Sequence, residues 1–122
     1  MRALPMMMLE ILMTLNPAYA QSGADVIQGA ALYESRCIAC HSVDVNRVGP
    51  MHQGVVGRKA GSVPDYAYSD ALKKSSVIWN EQTLDQWLKN PEAFIPGQMM
   101  GVSVSNAEDR KALISYLKSI SH

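Results

Sequence analysis

The residues best equipped for chemistry are Cys37, Cys40 and His41, in the run Cys37-Ile38-Ala39-Cys40-His41. Two thiols stand three positions apart, and an imidazole follows the second directly. Three chemistries use thiols at this spacing. A redox disulfide belongs in a thioredoxin-like βαβ context, which this chain does not offer. A zinc site needs further ligands at suitable spacing, and beyond the thiols only His41, His52 and His122 remain. Covalent attachment of a c-type haem uses all three residues: the sulfurs bond the two vinyl carbons of the porphyrin, and the imidazole reaches the iron from one face. This reading alone accounts for the adjacent histidine. It requires the rest of the chain to supply a second axial ligand, an apolar pocket and partners for the propionates.

The chain as a whole is compatible with that demand. At 122 residues it holds one domain at most. With 48% hydrophobic and 18% charged residues it argues against disorder. A formal net charge of zero gives no footprint for nucleic acid. Residues 1–20 have their own pattern: Arg2, an apolar run through Met6, Met7, Met8, Leu9, Ile11, Leu12, Met13 and Leu15, then Ala18-Tyr19-Ala20 before Gln21. A charged start, a short apolar stretch and an A-x-A site make a secretory signal peptide, although Glu10 interrupts the run. About a dozen apolar residues fall short of the ~20 that span a bilayer. The expectation is a leader over 1–20, cleaved after Ala20, and a mature domain over 21–122. Export also suits covalent haem attachment, which takes place outside the bacterial cytoplasm.

The elements expected to position these groups are helical. Val26, Ile27, Ala30, Leu32 and Tyr33 give a helix over Ala24 to Ala39, with Gly29 in its middle where a second helix can cross closely. Met51 to Pro64 carries Gly54, Gly57 and Gly61 and is a long loop. Ser69 caps a short helix through Lys74, and Asn80 caps another that ends near Asn90, ahead of Pro91. Pro91 opens a short turn through Phe94. Ser105-Asn106-Ala107-Glu108 fits a capping box for a last helix whose inner face is Leu113, Ile114, Leu117 and Ile120. No segment alternates with strand period. The fold class is a small all-α domain whose long loops wrap a cofactor.

Placed in this order, the residues resemble a class I cytochrome c, of the branch that holds mitochondrial cytochrome c and the bacterial cytochromes c2 and c550. The resemblance runs from about Asp25 to Ser119. It is carried by Gly29, Tyr33 and Arg36 before the C-x-x-C-H, by Gly49-Pro50, by Val56-Gly57-Arg58-Lys59-Ala60-Gly61, by Tyr66-Ala67-Tyr68-Ser69-Asp70-Ala71, by Trp79, and by Ile95-Pro96-Gly97-Gln98-Met99-Met100. It implies one haem c, held through thioethers by Cys37 and Cys40, with His41 as one iron ligand and the Pro50 carbonyl orienting it. The family's P-G-x-x-M selects Met100 as the second ligand and leaves Met99 as a packing or rim residue. Arg58, Tyr68 and Trp79 are implied as partners of the propionates. Trp87 stands by the haem where this branch typically has a tyrosine bonded to the methionine sulfur.

With both axial positions filled by protein, the resemblance implies an electron carrier and not an enzyme. It would be a periplasmic monomer that works through the exposed haem edge, without stable membrane insertion after leader cleavage. Its donor would be a bc1 complex or a dehydrogenase, and its acceptor an oxidase, a reductase or a photosynthetic reaction centre. Were Met100 not on the iron, a ligand-binding or peroxidatic haem protein would be the alternative. Leu72, Trp87, Gln98 and Val102 depart from the family around the methionine, and their shared reading is a drier pocket. His52 stands where an apolar residue usually packs, and is expected to turn outward or to bond within its loop. Glu92, Ala93 and Met99 replace frequent lysines, so the partner contact is expected to be more apolar and only weakly salt-dependent.

Overall fold

The computed structural model describes residue 11 and residues 16–122, and the leader expected over 1–20 falls mostly outside them. Five helices follow one another: α1 (Pro17–Arg36), α2 (Asp70–Lys74), α3 (Glu81–Lys89), α4 (Pro91–Phe94) and α5 (Ala107–Ser119). Each start has a local cause. The Asn16 side chain accepts from Ala18 N, with Pro17 at the first helical position. Ser69 accepts from Leu72 N, and Asn80 forms a reciprocal capping box with Thr83. Asn90 accepts from Ala93 N ahead of α4.

Three boundaries differ from the sequence expectation. α1 starts at Pro17 and not at Ala24, because Asn16 and Pro17 supply a cap and a first helical residue ahead of the apolar pattern. α1 ends at Arg36, short of Ala39, because the N–H groups of Cys40 and His41 both turn back onto the Cys37 carbonyl, at 3.1 and 2.9 Å. That tightened turn projects the two thiols and the imidazole from one short stretch of backbone. α5 begins one residue later than a cap at Ser105 requires. Asn106 caps it, accepting from Asp109 N at 2.9 Å, while the Ser105 carbonyl is taken by Arg110 Nη1 at 2.9 Å.

The frame is the crossing of α1 and α5, with α3 against α5 and α4 beside α3. Tyr33, Leu84, Val104, Leu113, Ile114 and Leu117 form its buried core. Gly29 makes the crossing possible: a Cβ there would lie 2.0 Å from the Ala112 carbonyl oxygen and 2.8 Å from Tyr116 Cβ. The helices therefore meet backbone to backbone, and the Tyr33 and Tyr116 rings pack beside the contact at 5.0 Å between centroids.

The segment from Cys37 to Ser69 wraps the front of this frame. Its only strand-like pairing among the described residues is an antiparallel bridge between Lys59 and Ile78. Around it Gly57 N donates to Trp79 O at 2.7 Å, Trp79 N to Arg58 O at 2.9 Å, and Ala60 N to Val77 O at 2.8 Å. The middle of this segment is tied to the C-terminus, where Ser121 Oγ accepts from Val56 N at 3.1 Å and donates to Leu117 O at 2.7 Å.

Candidate haem-attachment site

Cys37 caps α1 and Cys40 closes the following turn; both thiols are half-buried. Burial pushes the Cys37 thiol up to about 11, against a smaller downward pull from Arg36. Gly49 N donates to the Cys40 carbonyl at 2.8 Å, which brings the Gly49-Pro50 corner against the thiol-bearing turn. Arg47 locks that turn from the other side, with Nη1 donating to the carbonyls of Ile38 at 2.6 Å and His41 at 3.2 Å. Nothing in the sequence marks Arg47 for this task beyond its being a cation in the polar connection.

His41 is held by the Gly49-Pro50 corner. Its Nδ1 lies 2.8 Å from the Pro50 carbonyl oxygen. A carbonyl only accepts, so Nδ1 carries the proton and Nε2 keeps its lone pair for a metal. Burial lowers the His41 pKa, opposed by the Pro50 bond and aided by Arg47, so the ring is neutral near pH 7. The ring lies directly over Gly49, where a Cβ would stand 2.1 Å from Cε1. Glycine before proline is thus a cradle for the imidazole.

His52 does not turn outward, and its partner lies outside its loop. Its ring stacks on His41, 4.0 Å between centroids and 22° between planes. Its Nδ1 is hydrogen-bonded to the Tyr33 hydroxyl at 2.9 Å. Burial first, then the neighbouring His41 and Arg58, lower its pKa to about 3, so it packs as a neutral plate. The partner on α1 explains how a polar ring replaces an apolar one here.

Arg58, Tyr68, Trp79 and Trp87 line the loop side. Arg58 is half-buried, and its partners among the described residues are the carbonyls of Met51 at 2.9 Å and Gln53 at 3.3 Å rather than a carboxylate. A guanidinium stays charged under these conditions, although burial lowers its pKa. The Tyr68 oxygen accepts from Val63 N at 3.0 Å, which leaves its O–H free to donate. Burial raises the Tyr68 pKa, so that proton stays in place. Trp79 is buried and half-buried Trp87 packs on it, ring centroids 5.4 Å apart.

Met100 rides the segment between α4 and α5 and is half-buried, whereas Met99 is 85% exposed. Gln98 does not contribute to a drier pocket: its side-chain oxygen accepts from Met100 N at 2.6 Å. Val102 is exposed and Leu72 is buried in the core. Of the four departures, only Leu72 and Trp87 thus add apolar surface to the interior.

These residues fit a covalent porphyrin. No group of three or more His, Cys, Asp and Glu side chains among the described residues could hold a bare metal ion. A lone imidazole with its second nitrogen already committed, two thiols on the same turn and a half-buried cation without a carboxylate match a ring-borne iron with acidic substituents. The site defines a covalently attached haem protein. The cytochrome c family model matches residues 26–121. The chain is 44% identical over 101 residues to cytochrome c of Gibberella zeae, covering 80% of this chain and 95% of that one. It is 41% identical over 104 residues to cytochrome c2 of Rhodomicrobium vannielii, covering 82% of each. The solved structure of cytochrome cH from Methylobacterium extorquens superimposes with a TM-score of 0.74 at 41% identity, covering 78% of this chain and 98% of that chain. The chain belongs to the cytochrome c family. It has the class I fold, carries one covalently bound haem c, and is an electron-transfer haem protein.

Proposed function

We propose that this protein is an exported, periplasmic single-electron carrier whose haem iron is ligated by His41 and Met100. The observation that carries this reading is the contrast at the paired methionines: Met100 is half-buried, with its N–H held by the Gln98 side chain, while Met99 beside it is 85% exposed. The haem supplies the iron that changes between ferrous and ferric states, and the thioether of Met100 favours the ferrous form. The chain's own work is to hold. Cys37 and Cys40 fix the ring, and Pro50 keeps His41 in the tautomer that presents Nε2. Arg58, Tyr68 and Trp79 receive the propionates, the first because its half-buried charge meets only carbonyls among the described residues. Trp87 packs against Trp79 and closes the interior. With His41 and Met100 both holding the iron, no residue would need to act as acid, base or nucleophile, and the protein would be a carrier instead of an enzyme.

Redox complexes of the respiratory or photosynthetic kind are the partners, a bc1 complex or dehydrogenase as donor and an oxidase, reductase or reaction centre as acceptor. No helix among the described residues is long and apolar enough to cross a membrane. Three observables test the reading. The ferric holoprotein shows the weak near-infrared band of Met-ligated haem, and the ferrous form does not bind carbon monoxide at neutral pH. Absence of the band together with ready carbon monoxide binding rejects Met100 and favours a ligand-binding or peroxidatic protein. Mass spectrometry of periplasmic holoprotein gives the mass of residues 21–122 plus one haem; an intact 122-residue chain rejects the cleaved leader. Reaction rates with purified partner complexes fall only slightly with ionic strength, because the formal net charge is zero and Met99 stands exposed; a steep fall rejects the apolar contact.

A further inference from the structure

The segment that carries Met100 is poorly anchored. Its far end is pinned where Val104 N donates to Leu88 O at 2.7 Å, and its near end where Gln98 N donates to Ile95 O at 3.2 Å. Between them the backbone from Met99 to Ser103 makes a single hydrogen bond among the described residues, from Met100 N to Gln98 Oε1 at 2.6 Å. Met99, Gly101, Val102 and Ser103 are all exposed. The other end of the Gln98 amide is itself held: Nε2 donates to Glu92 Oε2 at 3.1 Å, while Glu92 Oε1 accepts from Gly97 N at 3.0 Å. The direction of the chain is unambiguous, because a carboxylate only accepts and a backbone N–H only donates. One carboxylate therefore fixes both the turn before the methionine and the side chain that grips the methionine's own backbone.

We infer that Glu92 and Gln98 are positioning residues for the sixth iron ligand, forming a relay that keeps the Met100 arm closed and the iron inaccessible to external ligands. The inference rests on the assignment of Met100 to the iron. Glu92 sits where a lysine is frequent in the resembled branch and Gln98 where a threonine is common, so two separate departures become one device. The carboxyl of Glu92 is held below its usual range by the Gly97 bond and then by the Gln98 bond, which keeps the acceptor ionised at neutral pH.

The test uses ferric holoprotein with imidazole as the external ligand, alongside the near-infrared band and the thermal unfolding midpoint. Apparent affinity scales with the fraction of open arm. Losing a hydrogen bond of ordinary net strength raises that fraction up to about tenfold. Gln98→Ala therefore binds imidazole about tenfold more tightly, and its band is lost at a lower pH than in wild type. Glu92→Ala binds several-fold more tightly. The double variant gains less than the product of the two single effects, because Glu92 acts largely through Gln98. Met99→Ala removes an exposed side chain from the same arm, leaves the relay intact and binds imidazole as wild type does. Wild-type affinity in both single variants, or single effects that multiply fully, overturns the relay. A general fall in unfolding midpoint without tighter imidazole binding assigns these residues a merely structural role and also overturns it. A wild-type protein without the near-infrared band overturns the Met100 assignment itself, which separates that failure from failure of the relay.

Discussion

Replacing Gly49 by alanine isolates one contact at the centre of the site. The new Cβ would stand 2.1 Å from His41 Cε1 and 2.5 Å from both ring nitrogens. Carbon atoms in contact sit roughly 3.5–4.0 Å apart, so ring and backbone must separate by about 1.4 Å or more. The backbone is not free to retreat, since Gly49 N donates to Cys40 O at 2.8 Å and Gly49 O accepts from Arg47 N at 2.9 Å. The conformation itself does not object: Gly49 is not among the residues with positive φ, and a residue before proline takes an extended form that alanine accepts. The ring must move, which breaks the 2.8 Å bond from His41 Nδ1 to Pro50 O. Overpacking costs about 1–3 kcal/mol and the lost hydrogen bond about 1 kcal/mol. The reduced freedom of the unfolded chain offsets roughly 0.4–1 kcal/mol. The net loss is about 1–3.5 kcal/mol, a fall of roughly 5–20 °C in melting temperature for a domain of this size. If His41 ligates the iron as proposed, an imidazole without its carbonyl partner would be a weaker donor, so the midpoint potential should rise. Thermal melting and voltammetry of the holoprotein measure both. A variant that melts within about 2 °C of wild type with the same potential refutes the cradle. Gly101→Ala is the control, because its Cβ meets nothing within 4 Å and its φ is not positive; it changes stability by less than about 0.5 kcal/mol.

Gly29→Ala drives a Cβ to 2.0 Å from a backbone oxygen of α5. Even after a gain of about 1 kcal/mol in helix propensity, it should lose about 2 kcal/mol in urea unfolding, and an unchanged urea midpoint rejects the backbone contact. Arg110 is 6% exposed and donates to Asp85, Val104 and Ser105; Arg110→Ala should cost about 2 kcal/mol, chiefly by leaving the Val104 carbonyl unpaired, since the Asp85 carboxylate stays open to water, and Arg110→Lys should not restore it, because one ammonium cannot reach three acceptors in a fork. His52 supplies a pH test. Its folded pKa, lowered by burial to about 3, lies below the unfolded value of about 6.5. The unfolded chain therefore takes up a proton between those values that the native state refuses, so the stability present above pH 6.5 falls by about 1.4 kcal/mol per unit as pH drops toward 3. His52→Leu removes this slope, and parallel stability–pH curves for wild type and variant between pH 6.5 and 4.5 would contradict a buried neutral ring.

What the sequence determined by itself is what short stretches of chain can encode. The C-x-x-C-H run places its three functional groups within five residues. Ser69 and Asn80 cap their helices because a side-chain oxygen reaches an N–H three residues ahead, whatever the rest of the molecule does. Gly49-Pro50 could be matched to His41 because the resembled family uses that corner, and the structure gives it a distance. The tertiary structure alone decided the rest. His52 became a stacked plate because α1 brings the Tyr33 hydroxyl to it across nineteen positions. Gln98 became a grip on Met100 because Glu92 reaches back from the start of α4. Asn106, and not Ser105, caps α5 because Arg110 claims the Ser105 carbonyl. A polar side chain has many admissible partners along an extended chain. For His52 the partner is settled by the packing that brings α1 across nineteen positions; for Gln98 and Arg110 it is settled by the path of the turns beside α4 and α5, which residue types alone do not record.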